Sequence, residues 1–204
     1  MKQNIGCPCG KTFTVEINED IDLDQNPSSL DEILSGKIMS YECPVCRKTH
    51  KPEFKISIRW KSKKILLEVL PEMNRGEFYR KKKENQPFET VIGFPEMSDR
   101  LAVIKDDLEP IIIETLKSYL LAKAEENYPN KEINAWYYGK GPEGIEFHLD
   151  GIRKGEMAVM RVPQEIYEKT LNDYKKNPKS ELFSSLRVRS YLSVQNILRP
   201  EIYK

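Results

Sequence analysis

Four cysteines in two tight clusters, Cys7-Pro8-Cys9-Gly10 and Cys43-Pro44-Val45-Cys46, restrict this chain more than any other feature. The sequence holds no further cysteine. Structural zinc takes four tetrahedral ligands at about 2.3 Å, which puts bound sulfurs roughly 3.8 Å apart. In extended backbone, residues i and i+2 share a face, so Cys7 and Cys9 can offer both thiolates to one ion. Pro8 fixes φ between them, and Gly10 permits the tight turn that follows. Cys43 and Cys46 have the commoner two-residue gap. Together the pairs read as four ligands of one structural Zn²⁺. His50, four residues after Cys46, could replace one thiolate; with four cysteines at hand it reads as a strand-entry histidine.

The rival chemistry is a pair of disulfides. The opening Met1-Lys2-Gln3-Asn4-Ile5-Gly6 lacks an apolar core and a cleavage pattern, so it does not read as a secretory signal. No later stretch approaches the ~20 apolar residues of a membrane helix. The expected compartment is the cytoplasm, where such cysteine spacing belongs to metal or redox sites rather than to disulfide staples.

A net charge of +1 exerts no global pull toward nucleic acid or membrane, while 39% hydrophobic and 32% charged residues suit a cored, well-solvated protein. The distribution of charge is uneven. From Thr12 to Gly36 the acids Glu16, Glu19, Asp20, Asp22, Asp24, Asp31 and Glu32 meet no base; from Arg47 to Lys83 thirteen bases face four acids. Adjacent blocks of opposite sign are expected to lie side by side on one surface. The functional alternative is a basic face for an anionic partner.

Apolar periodicity predicts a strand over Thr12–Ile17, a polar loop over Asp20–Ser28, and a short helix from the capping-box pattern Ser29-Leu30-Asp31-Glu32 to Gly36. Strands follow at Ile38–Glu42, Phe54–Trp60 and Ile65–Leu70, and a further strand at Thr90–Phe94. The longest helix is capped by Asp107, with Pro110 in its first turn and an apolar stripe that includes Ile111, Ile112, Leu116, Tyr119 and Leu120. Beyond Pro129, strands at Ile133–Gly139, Ile145–Asp150 and Glu156–Val162 precede a helix entered through Pro163. A short helix is expected over Leu182–Val188. The fold class is α+β: a zinc-ribbon-like antiparallel sheet with a long packing helix over residues 1–129, then a smaller α+β region over 130–204.

Residues 5 to 125 resemble the CpXC family, bacterial and archaeal proteins named for two Cys-Pro-x-Cys motifs. The resemblance rests on Cys7-Pro8-Cys9-Gly10 with Phe13 beyond it, the helix ending at Gly36, Cys43-Pro44-Val45-Cys46, and the stretch around Asp107 to Lys117. It implies paired cysteines that bind zinc, no assigned activity, and no catalytic residues to carry over. The first motif is one residue short, and Arg47 stands where glycine would be common. A C-x-C followed about thirty residues later by C-x-x-C is also similar to the zinc site of the redox-regulated heat-shock chaperone, in which oxidation releases zinc.

Three other features carry side chains with chemistry of their own. Glu146, His148 and Asp150 share one strand face and could do acid–base chemistry; with no nucleophile nearby, they read as a solvated face. Trp136-Tyr137-Tyr138 could stack bases or sugars, though core packing plus a cross-strand pair is the commoner use. Arg80-Lys81-Lys82-Lys83 could contact phosphates but reads as a solvated run. No residue is assigned a catalytic role. The expected function is a cytoplasmic, zinc-stabilised, non-enzymatic binding module with a protein partner, the alternatives being a nucleic-acid-binding zinc ribbon and a thiol redox switch.

Overall fold

A computed structural model of the chain describes residues 1–81 and 86–198. It is a mixed α+β protein. The described residues up to Ser98 form one compact unit, and those from Asp99 onward form a second. Sequence analysis places the division near Pro129; in the structure it falls inside a helix, and the longest helix belongs to the second unit.

The first unit opens with a hairpin of β1 (Lys2–Gly6) and β2 (Thr12–Glu16), in register from Lys2↔Glu16 to Gly6↔Thr12. Next come β3 (Asp20–Asp22) and α1 (Ser28–Leu34). A second, shorter hairpin joins β4 (Tyr41–Glu42) to β5 (Thr49–His50). Then follow β6 (Ile56–Trp60), β7 (Ile65–Leu70), α2 (Arg75–Arg80) and β8 (Glu89–Ile92). These strands lie in the order β8-β7-β6-β3. Only β6 and β7 are antiparallel; β3 runs parallel to β6 and β8 parallel to β7. Ile56, Ile58, Leu67, Val69, Val91 and Ile92 form the buried side of this sheet, and Ile33, Phe78 and Met97 are buried on the helices of the same unit.

Four local expectations are corrected here. Asp20–Asp22 is a strand, not loop: Ile17, Ile21 and Leu23 alternate inward, disguised by the acids that alternate outward. The capping box does not form, because α1 starts at Ser28 with Pro27 as its N-cap, leaving Ser29 already inside the first turn. Ile38–Ser40 is a turn, with Met39 at φ +52°, so strand geometry begins only at Tyr41. The strand expected to run through to Phe94 stops at Ile92, and Pro95 sits in the first turn of α3 (Phe94–Lys105), where proline costs little. Buried Asp99 and Arg100 lie among Met97, Leu101 and Val103, so this helix carries no clean apolar period.

The second unit centres on α4 (Pro110–Asn127). Its N-cap is Glu109, whose extended backbone suits the residue before a proline, rather than Asp107, which sits at φ +56° in the preceding turn. A three-stranded antiparallel sheet follows, β9 (Asn134–Gly141), β10 (Gly144–Asp150) and β11 (Ala158–Val162), with β10 central. Ile112, Ile113, Leu116 and Leu121 of α4 share one core with Tyr137, Ile145, Phe147 and Leu149 of this sheet. Tyr119, assigned to the apolar stripe, is 53% exposed. The unit closes with α5 (Gln164–Lys176), α6 (Glu181–Ser185), the paired strands β12 (Arg187–Val188) and β13 (Tyr191–Leu192), and α7 (Gln195–Leu198). The helix expected to reach Val188 ends early because Arg187 and Val188 turn into β12.

Candidate metal centre

Both cysteine pairs sit at hairpin tips, and the two tips are built alike. In the first, the Cys7 N–H donates to Lys11 O (2.8 Å) and the Gly10 N–H to Cys7 O (2.9 Å). In the second, the Cys43 N–H donates to Lys48 O (2.9 Å) and the Arg47 N–H to Cys43 O (3.0 Å). Each tip then needs a left-handed residue straight after its second cysteine. Gly10 takes that place at φ +88° and Arg47 at φ +61°. Glycine does this freely and arginine at some cost, so the departure at position 47 changes the residue and keeps the turn.

The tips bring Cys7, Cys9, Cys43 and Cys46 together, with all four sulfurs within 4.8 Å of one another. Cys7 Sγ lies 3.5 Å from Cys46 Sγ and Cys9 Sγ 3.7 Å from Cys43 Sγ. Four sulfurs around a tetrahedral Zn²⁺ would stand roughly 3.8 Å apart, so this donor set fits the ion expected of it. The shortened first motif does not prevent convergence. Cys7 and Cys43 are buried, while Cys9 and Cys46 are exposed.

Electrostatics inside the cluster favour a cation. The backbone N–H groups of Cys46 and Val45, helped by the Cys7 and Cys9 thiols, lower Cys43 to about 6 despite its desolvation. The Cys9 N–H pulls Cys7 down in the same way, but desolvation and hydrogen bonds with the Cys9, Cys46 and Cys43 thiols outweigh it and push Cys7 up to about 12. Four thiols this close cannot all ionise unaided, and a metal ion removes the conflict. His50 stands beside the cluster as a strand residue: its Nε2 is 3.2 Å from Cys7 Sγ, and its ring packs edge-on against Phe13 at 5.8 Å. It is a neighbour of the four-cysteine cluster, within hydrogen-bond reach of the Cys7 sulfur.

The other sequence-predicted features divide. The acidic and basic blocks do meet: the β3–β6 pairing sets Asp22 3.8 Å from Arg59, and Asp24 accepts the Lys61 N–H at 2.5 Å. Arg80 and Lys81 are exposed, Lys81 pairing with Glu77 at 2.9 Å; Lys82 and Lys83 lie outside the described residues. Glu146, His148 and Asp150 do share the outer face of β10. Each is engaged: His148 Nε2 is 3.1 Å from Glu146, Arg161 donates to Glu146 (3.1 Å), and Asp150 accepts from Trp136 Nε1 (2.7 Å) and Asn134 (2.9 Å). The aromatic run splits. Tyr137 is core and meets Phe147 across the strands, whereas Trp136 and Tyr138 face outward and Tyr138 stacks on His148 of the neighbouring strand, the expected core-and-pair arrangement.

A second ionisable cluster escaped sequence reasoning. In the second unit Asp99, Arg100, Glu114 and Lys117 are all buried. Lys117 bonds Asp99 and Glu114, the latter at 2.8 Å, and Arg100 lies 3.8 Å from Glu114. Asp99 also accepts the Tyr137 N–H (2.6 Å), Glu114 the Val194 N–H (2.7 Å), and Arg100 donates to Leu192 O (2.7 Å). The available signal was Glu114 and Lys117 standing three apart inside an otherwise apolar helical run.

Comparison with known proteins agrees with this layout. The CpXC protein family matches residues 5–117, more than half of the chain and across both units. An uncharacterized protein of Treponema pallidum (strain Nichols) is 29% identical over 212 residues, covering 94% of this chain and 96% of that protein. No solved structure matches.

Proposed function

This chain belongs to the CpXC family, and we propose that Cys7, Cys9, Cys43 and Cys46 hold one Zn²⁺ as a structural staple in a non-enzymatic, cytoplasmic binding module. The convergence of all four sulfurs at two hairpin tips carries the reading. A closed four-thiolate site has no position left for substrate, which separates it from catalytic zinc. That no described helix is long and apolar enough to cross a membrane is compatible with this placement. The row Glu146-His148-Asp150 does not favour acid–base chemistry, since each member is engaged by a neighbour on its own face. The test is metal content with stability: one zinc per chain, and a sharp fall in thermal stability for Cys43→Ser. A metal-free wild-type protein of equal stability would refute it.

A thiol redox switch is the second reading, favoured by the exposure of Cys9 and Cys46 and the two close sulfur pairs. Two equivalents of hydrogen peroxide would take four electrons from the thiolates, giving two disulfides and water and releasing the metal. Zinc retained through mild peroxide excludes it.

A further inference from the structure

The two cysteine tips, alike in their turns, differ in what they offer their buried sulfur. Cys7 and Cys43 are the buried members of the cluster, and a buried anion needs hydrogen-bond donors as well as countercharge. Exposed Cys9 and Cys46 can turn to water; Cys7 and Cys43 must find their donors in the protein. In the second tip two backbone N–H groups, those of Val45 and Cys46, donate to Cys43 Sγ. In the first, Cys9 stands where Cys46 does and its N–H donates to Cys7 Sγ. Gly10, like Arg47, commits its N–H to the carbonyl of the first cysteine, and Pro8 and Pro44 have none to give. The residue that the Cys-x-Cys spacing omits is thus the counterpart of Val45, and with it goes the second backbone donor.

His50 stands where that donor is missing. It lies on β5, opposite Tyr41 of β4, and so belongs to the hairpin of the second tip. Its Nε2 is nevertheless 3.2 Å from Cys7 Sγ of the first. A metal-ligating cysteine is a thiolate, and its sulfur can only accept. The shared hydrogen then sits on Nε2, which fixes the tautomer of the ring. Edge-on packing against Phe13, at the far side of the first tip, holds the ring in that orientation.

We infer that His50 supplies the hydrogen bond that the shortened first tip lacks, acting as a positioning residue that holds Cys7 Sγ for the ion. The inference rests on the four-thiolate zinc reading and deepens it. His50 stays outside the ligand set, and the missing residue of the first motif is made good by a side chain from the opposite hairpin. The bond also ties the two tips together through something other than the metal.

Two substitutions in the full chain separate the donor from the ring. His50→Gln keeps an N–H near the place of Nε2 and loses the aromatic packing; His50→Phe keeps a ring against Phe13 and loses the donor. Zinc affinity, read by competition with a chromogenic chelator, should fall about 10–100-fold for His50→Phe, the usual loss when an outer partner of a metal ligand is removed. His50→Gln should stay much nearer wild type. In the Co²⁺-loaded protein the sulfur-to-metal charge-transfer band should move to longer wavelength in His50→Phe, whose Cys7 thiolate is more electron-rich, and hold its place in His50→Gln. An alanine inserted between Pro8 and Cys9, which gives the first tip the spacing of the second, should remove most of the penalty of His50→Phe. The inference falls if His50→Phe matches wild type in affinity and band position, or if the insertion leaves its penalty whole. It falls equally if His50→Gln is the weaker variant, the pattern of a packing role. Should His50→Phe fail to load at all, full loading of His50→Gln supports the inference and failure of both overturns it. A zinc-free wild type removes the metal reading and this one together, whereas a zinc-loaded wild type indifferent to position 50 removes this one alone.

Discussion

Each unit gathers four ionisable side chains in one place, and the two gatherings solve the problem of clustered charge differently. Cys7, Cys9, Cys43 and Cys46 all ionise to the same sign, so on the proposed reading their cluster is completed by a cation from outside. Asp99, Arg100, Glu114 and Lys117 carry two charges of each sign, and the cluster closes on itself with help from the Tyr137 and Val194 N–H groups and the Leu192 carbonyl. On that reading the first would respond to metal supply and oxidants. The second responds only to changes in its own residues or to pH.

Metal removal should separate them most widely. Apparent zinc binding energies at neutral pH are about 10–16 kcal/mol, against domain stabilities of about 5–15 kcal/mol. A strong chelator, or Cys43→Ser, should strip amide protection from the β1–β2 and β4–β5 hairpins and leave the α4–β10 core protected. Hydrogen exchange read residue by residue checks this; uniform loss over both units would erase the distinction drawn here.

Next in size is Lys117→Met. It leaves Asp99 and Glu114 buried without their shared cation, and breaking a buried pair in this way costs about 3–5 kcal/mol. Chemical denaturation should show that loss in the second unit, with zinc content unchanged. A drop under 1 kcal/mol would mean Arg100 alone balances both acids.

How legible these clusters were follows from their chemistry. Cysteine is rare, its zinc spacing is local, and the hairpin tips are set by Pro, Gly and alternation around them, so the four cysteines that the structure brings together could be named from sequence. Charged residues are common, and Asp99 meets Lys117 only through the packing of α3 on α4, which no local pattern encodes. Strand β3 was hidden for a related reason: acids on its solvent side match a loop composition, and the parallel pairing that makes it a strand comes from β6, far along the chain. The β9–β10 hairpin and α5 were legible because period and turn signals agree there, whereas the helix expected over Leu182–Val188 stops at Ser185 where the chain enters β12.

Acid should act on the second cluster with a definite sign. Desolvation alone would raise Glu114, but Lys117 and Arg100 override it and hold its carboxyl below the usual 4.5. Its contribution is therefore present above the unfolded value and lost as pH falls through the depressed folded one. Asp99 is shifted the other way, chiefly by desolvation, so its share is present at low pH and lost as pH rises through its raised value. Denaturation midpoints at pH 7, 5 and 3.5 should show Glu114→Gln less acid-sensitive than wild type and Asp99→Asn more so. Parallel pH profiles for the two variants would contradict this division.

The smallest effect expected is at Arg47, where the turn rather than the side chain carries the knuckle. A non-glycine residue in left-handed backbone costs about 1–2 kcal/mol, and glycine would relieve that. Against the relief stand the extra unfolded-state freedom of glycine, about 0.5–1 kcal/mol, and loss of the exposed pair with Glu42 at 3.2 Å, worth about 0–1 kcal/mol. Arg47→Gly should therefore change stability by no more than about 1 kcal/mol and leave zinc affinity intact. Arg47→Val puts a β-branched residue where φ is +61° and should weaken both. If the two variants behave alike, the left-handed turn is not what positions Cys46, and the parallel between the two cysteine tips is only one of shape.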